Sequence, residues 1–235
     1  SFYLHAGESV PIEDFEMPRV YHNYKETSDD KADWNRLMNA IADGISRGEM
    51  TKVVSSREVE FTSETPYNVA SILANLVDNN PNCFIFGYEK DGRTFVGASP
   101  EILVRYRGSE ILSYALAGTA PKDGPNAWTE EQLLTNTKNI IEHNIVRDRI
   151  VNTMRQITPH VTVGETGIME LSHLYHLRTI ITAKDSTKSL VEWAKLLHPT
   201  PALGGEPREK ALALLQEYES HERGMYAACL LYTSP

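Results

Sequence analysis

The sequence predicts an α+β fold in which antiparallel β-sheets are flanked by helices. Long stretches carry apolar residues at the i, i+3, i+4, i+7 spacing of an amphipathic helix. Short β-prone runs are separated by Asp91-Gly92 and Gly108-Ser109, pairs typical of tight hairpin turns. The two kinds of segment alternate irregularly, unlike the regular strand-helix succession of a parallel sheet.

Residues 1–30 are rich in Pro, Glu and Tyr without a clear period, and are expected to form an extended N-terminal segment. Asp29 and Asp30 offer an N-cap to a helix whose stripe is Trp34, Leu37, Met38, Ile41, Ala42 and Ile45, ending near Gly48. Lys52 to Phe61 alternates and is β-rich, so Lys52, Val54 and Ser56 are expected on one face of a strand. A second helix carries Val69, Ile72, Leu73, Leu76 and Val77 and stops at Asn79 to Asn82. Cys83–Tyr88, Thr94–Ala98, Ile102–Tyr106 and Ile111–Leu116 read as an antiparallel meander.

From Thr129 to about Ile157 the pairs Leu133/Leu134, Ile140/Ile141, Ile145/Val146 and Ile150/Val151 predict the longest helix. Pro159 closes it. Val161–Val163 and Leu177–Thr182 are expected strands around Leu171–His176, followed by helices at Ser189–Leu197 and Pro207–Tyr218.

With 235 residues, 41% of them hydrophobic, the chain can bury the core of one large domain. Its formal net charge of -9, with 23 scattered Lys and Arg, argues against a nucleic-acid or anionic-membrane partner. A small molecule is the better expectation, and if it is an anion, local cations or a metal must hold it. No apolar run approaches the roughly 20 residues of a membrane span. Two cysteines, Cys83 and Cys229, fit a reducing cytoplasm. The start at Ser1 lacks the basic and apolar regions of a signal peptide.

Several residues could carry chemistry, each beside a plainer reading. Lys52 opens a β run and either projects into a cavity or stays in water as an edge-strand lysine. Glu101 follows Ser99-Pro100, where proline fixes an extended approach; a glutamate there is commonly solvated. Glu142 and His143 lie mid-helix at the margin of the apolar stripe, where such a pair is more often surface decoration. Gly118 and Thr119 follow the strand ending at Ala117 and can bring backbone N–H groups to an anion, or simply turn the chain. His176 either lines a site or is a satisfied core histidine. Gly204 and Gly205 permit close backbone approach, and the helix begun at Pro207 points positive potential at the same place. Zinc spacings, a Walker loop, a dinucleotide fingerprint and a Gly-x-Ser-x-Gly elbow are all missing from the sequence.

Taken together, Lys52-Val53-Val54-Ser55-Ser56-Arg57, Gly97-Ala98-Ser99-Pro100-Glu101, Ala117-Gly118-Thr119, Glu142-His143 and the loop from Leu197-His198-Pro199-Thr200-Pro201 to Arg208 resemble the chorismate-utilising enzymes, and within them the isochorismate synthases. The resemblance implies an anthranilate synthase component I-like chorismate-binding fold and a Mg2+ cofactor. It implies Lys52 as general base on a water, Glu101 as general acid toward the C4 hydroxyl, and Glu142 as a metal ligand. Gly118, Thr119, His176, Gly204 and Gly205 would meet the substrate. A lysine can act as a base near neutrality only if its pKa is pulled down, so Lys52 is expected to be enclosed. Anthranilate synthases lack that lysine. Salicylate synthase is the nearest rival reading, an inactive fragment or binding module is a rival of another class, and the chain as given is itself expected to be inactive. The product would feed menaquinone or siderophore synthesis, and a monomer is the family expectation.

The motifs run from about Asp33 to Ala228. Residues 31–228 are expected to be a partial chorismate-binding domain, incomplete at the C-terminus, and 229–235 a non-native tail. The second metal glutamate of the family, in a Glu-x-x-Glu-Thr-x-x-Lys motif, is not found in this sequence.

Overall fold

The computed structural model describes residues 23–27 and 30–230. Most of the N-terminal segment expected over 1–30, the proposed cap residue Asp29 and residues 231–235 of the expected tail lie outside the described residues. In chain order the elements are β1 (Tyr24–Glu26), α1 (Lys31–Ser46), β2 (Lys52–Val53), β3 (Phe61–Ser63), α2 (Val69–Asn79), β4 (Phe84–Lys90), β5 (Arg93–Ser99) and β6 (Arg105–Arg107). There follow β7 (Glu110–Pro121), α3 (Glu130–Thr135), α4 (Thr137–Arg155), β8 (Val161–Glu170), β9 (Leu174–Lys184), α5 (Leu190–Leu197), β10 (Gly205–Glu206) and α6 (Arg208–Tyr218).

The α+β class holds, and every strand pair among the described residues is antiparallel. The principal sheet has the order β6-β7-β9-β8. Alternation builds its inner face: Ile111, Ser113, Ala115 and Ala117 of β7 and Leu177, Thr179, Ile181 and Ala183 of β9 are all buried. Against that face packs α4, whose Val146, Ile150, Val151 and Met154 share a core with Trp193 and Leu197 of α5. The Trp193 indole N–H is satisfied by the carboxylate of Asp185 at 3.0 Å. Among the described residues no helix is long and apolar enough to cross a membrane.

Four expectations need correction. The helix expected over Thr129–Ile157 is two helices, because Asn136 leaves the helical region and uses its side chain to cap the Asn139 N–H at 3.0 Å. The strand expected over Lys52–Phe61 survives only as β2 and β3. Between them the Val54 carbonyl and the Ser56 N–H bond to Arg223 and Glu219 rather than to a neighbouring strand. The four-strand meander is split: β4 and β5 form their own hairpin, while β6 and β7 join β9 and β8. Asp30 does cap α1 by position, but its carboxylate makes no cap bond and forks onto Arg57 at 2.6 and 2.7 Å instead.

Candidate active site

Helix α4 is the axis of the site. Its inward face at Asn139, His143 and Val146 is buried, and the neighbouring positions bring charge to the rim. Glu142 meets the Lys52 amine at 3.3 Å and the Lys138 amine, one turn earlier on the same helix, at 2.5 Å. Lys52 is therefore enclosed, at 9% exposure, and the edge-strand reading is set aside. Burial pushes its amine below the usual lysine range, an effect that Glu142 and, more weakly, Glu101 oppose. Burial also raises Glu142, but Lys138 and Lys52 outweigh it and hold the carboxyl below its ordinary value.

Glu101 lies in the segment between β5 and β6, just beyond Pro100. Desolvation pushes its carboxyl up to about 7, against the pull of the Lys52 charge. A carboxylic acid pushed up to about 7 thus stands within the electrostatic reach of an amine that burial pushes below the usual lysine range. These are opposite proton-transfer roles set by environment.

Lys52 owes its place to β10. Val53 pairs with Gly205 and Lys52 with Glu206, while Thr51 N–H donates to the Glu206 carbonyl and Val54 N–H to the Gly204 carbonyl, both at 2.8 Å. Only glycine fits at 205, where φ is 154° and a Cβ would lie 2.3 Å from the Lys52 carbonyl oxygen. Glu206 takes one bond of 3.4 Å from Arg149 of α4, leaving its Oε2 buried with no hydrogen-bond partner among the described residues.

Gly118 and Thr119 do not follow the end of a strand, as expected, but lie inside β7 at an irregularity between Leu116 and Thr119. Gly118 has φ 82° and faces α4 so closely that a Cβ would be 3.1 Å from the Asn139 carbonyl oxygen. Across the ladder, Thr119 pairs with His176, and their Oγ1 and Nδ1 atoms are 2.8 Å apart. Burial pushes the His176 imidazole down, in part offset by a bond to the Gly118 backbone.

His143 is no surface decoration: it is 1% exposed. Its Nδ1 lies 3.1 Å from the Ala117 carbonyl, which can only accept, so Nδ1 carries the proton. Nε2 then accepts from the Thr179 hydroxyl at 2.7 Å, and Thr166 completes the chain at 2.8 Å. The histidine fills the gap that the β7 irregularity opens, fixing the backbone before Gly118 and the helix turn that carries Glu142. Sequence reading missed this role, and it missed Lys138, although the Lys-x-x-x-Glu spacing signalled the latter.

The structure thus joins Lys52 to Glu142 of α4, with Glu101 in the field of the Lys52 amine and Gly204 and Gly205 along the Lys52 strand, and it packs Gly118 on Asn139 of α4 with Thr119 and His176 paired beside it. A depression bounded by Trp34, Leu37, Arg57, Tyr218 and His221 contains none of them. Among the described residues no three His, Cys, Asp or Glu side chains gather as a metal cluster. Glu142 offers a hard oxygen donor here, which suits an ion that completes its shell with water and substrate oxygens.

Fold and site define a class: an α+β domain that sets an enclosed lysine amine and a desolvated carboxyl beside a helix packed on an antiparallel sheet. The chain belongs to the Chorismate binding enzyme family, which it matches over residues 8–234. It is 35% identical to the isochorismate synthase MenF of Bacillus subtilis over 205 residues, covering 85% of this chain and 43% of that protein. The structure of MenF, the menaquinone-specific isochorismate synthase of Escherichia coli, superposes with a TM-score of 0.79 at 28% identity, over 91% of this chain and 51% of that one. Anthranilate synthase component I from Streptococcus pneumoniae shares the fold, with a TM-score of 0.70 at 21% identity over 92% of this chain and 48% of that one. The chain spans about half the length of the relatives it matches.

Proposed function

We propose that this chain carries the acid-base machinery of an isochorismate synthase, converting chorismate to isochorismate. The observation that carries the reading is the enclosed Lys52, held 3.3 Å from Glu142 within the field of a Glu101 whose carboxyl titrates near 7. Lys52, as the free amine, takes a proton from a water whose oxygen bonds to C2. Glu101, as the acid, gives its proton to the C4 hydroxyl, which leaves as water while the ring double bonds shift. One water enters and one departs, so the product is an isomer of the substrate.

Thr119, His176 and the backbone at Gly118 and Gly204–Gly205 would hold the substrate's carboxylates and ring. Glu142 would hold a Mg2+ ion in place of its two ammonium partners, and when bound the ion supplies fixed positive charge for the ring carboxylate. The reading is supported by the family membership and by relatives named as isochorismate synthases.

The test is chromatographic analysis of chorismate incubated with Mg2+ and either this chain or the chain extended by a relative's C-terminal portion. Isochorismate from either protein is the expected result. Salicylate with pyruvate would assign a salicylate synthase instead, and folded proteins that leave chorismate untouched would overturn the proposal.

A further inference from the structure

Arg223 stands in the segment Glu222-Arg223-Gly224, which none of the chemistry above uses. Its guanidinium is a junction of three chain segments. Nε and Nη2 fork onto the Glu219 carboxylate, just past the end of α6, at 2.8 and 2.5 Å. Nη1 donates to the Leu203 carbonyl at 2.8 Å, and Nη2 also donates to the Val54 carbonyl at 2.7 Å. Glu219 in turn accepts the Ser56 N–H and hydroxyl at 2.9 and 3.0 Å. The pair is largely out of water, with side chains 19% and 6% exposed, so it is not a solvated surface contact.

The placement of these acceptors matters more than their number. Val54 is the residue after β2, and Leu203 precedes Gly204, whose carbonyl takes the Val54 N–H. The guanidinium therefore sits at the end of a ladder only two residue pairs long. Such a ladder is weak by itself. A planar fork can satisfy a carboxylate and two diverging carbonyls together, which a single ammonium cannot.

We propose that Arg223 is a positioning residue for Lys52: it closes the open end of the β2–β10 ladder and thereby fixes the direction from which the Lys52 amine meets Glu142. The inference rests on the reading of Lys52 as the base, but its test requires no turnover. Without turnover but with Arg223 shown to hold the ladder, the proposed function fails and the clamp stands.

The experiment is zero-length carbodiimide coupling, which joins an amine and a carboxylate only where they touch, read by peptide mass spectrometry. The Lys138–Glu142 product, internal to α4, is the control within each sample. Arg223→Lys keeps a cation beside Glu219. The double variant Arg223→Met with Glu219→Gln removes the buried charge altogether.

The expected result is a Lys52–Glu142 yield about tenfold lower relative to Lys138–Glu142, the size set by losing a charge-assisted hydrogen bond. The Thr51 and Val54 amides should exchange with solvent faster by a similar factor while amides of β9 keep their protection. An unchanged coupling ratio in a folded Arg223→Lys protein would overturn the proposal. So would equal loss of protection in β9, or failure of both variants to fold, since each would make Arg223 a general stabiliser.

Discussion

The two sheets that carry the site are built on different plans. Gly118, Thr119 and His176 stand in a ladder that pairs Glu110–Pro121 with Leu174–Lys184, backed by α4 and its core, whereas Lys52 stands on a strand of two residues. In the first region the backbone is held by many mutually supporting bonds, and the side chains project from a surface that exists whether or not a ligand is present. In the second, the amine is held by two residue pairs, by flanking bonds from Thr51 and Val54, and by the guanidinium of Arg223. The difference teaches that the groups expected to grip the substrate and the group expected to act as base are supported independently, with α4 as their shared element.

Gly205→Ala is the sharpest way to break that comparison. A methyl group there meets the Lys52 carbonyl oxygen at 2.3 Å and the Ala211 Cβ at 2.6 Å. The β2–β10 pair should separate and turnover fall about a hundredfold or more, as misplacement of a reacting group does. Amide exchange should show Thr51 and Val54 losing protection while β7 and β9 keep theirs.

His143→Ala attacks the other region. It strands the Ala117 carbonyl and leaves the Thr179 hydroxyl with Thr166 alone, at a cost of about 2 kcal/mol, read as a lower urea midpoint. His143→Asn, which can still donate toward Ala117, should recover part of the loss.

Glu101→Gln sharpens the account by pH. The folded-state pKa of about 7 lies above the ordinary 4.5, so the folded protein binds the extra proton and its stability is lost as pH rises from about 4.5 to 7. The glutamine variant avoids that loss. It should be more stable than the parent by about 3 kcal/mol at pH 8 and equal to it at pH 4, while losing turnover. The smallest effect belongs to Lys138→Ala, which removes an exposed i, i+4 partner of Glu142 and should cost about 0.5 kcal/mol in thermal denaturation, with the Lys52–Glu142 contact intact.

The same contrast explains what was legible in the sequence. The large sheet announced itself through alternation at Ile111–Leu116 and Leu177–Thr182, yet both strands ran further than read. Ala117 and Gly118 are weak strand formers, and the bonds of His143 to Ala117 and of His176 to Thr119 hold this stretch in the ladder. The break at Asn136 was hidden because the apolar stripe continues through it, whereas the cap that makes the break is a single polar side chain. Within the candidate site, motifs pointed to Lys52, Glu101 and Glu142, and the enclosure of Lys52 was expected from the pKa a base requires. Arg223 was not found as a clamp, because its acceptors are backbone carbonyls at Val54 and Leu203, and carbonyls leave no trace in a sequence.

The short β2–β10 ladder also sets a timetable. Thr51 and its partner Glu206 are 155 positions apart, and Val54 and Arg223 are 169 apart. At a synthesis rate of about 5 to 20 residues per second, Lys52 is made about 10 to 30 seconds before the guanidinium that secures it. Contacts of such long range are among the last to form. A nascent chain can therefore complete α1 and β4–β5 with its amine still in water, so that the reactive group is installed at the end of folding rather than at its beginning.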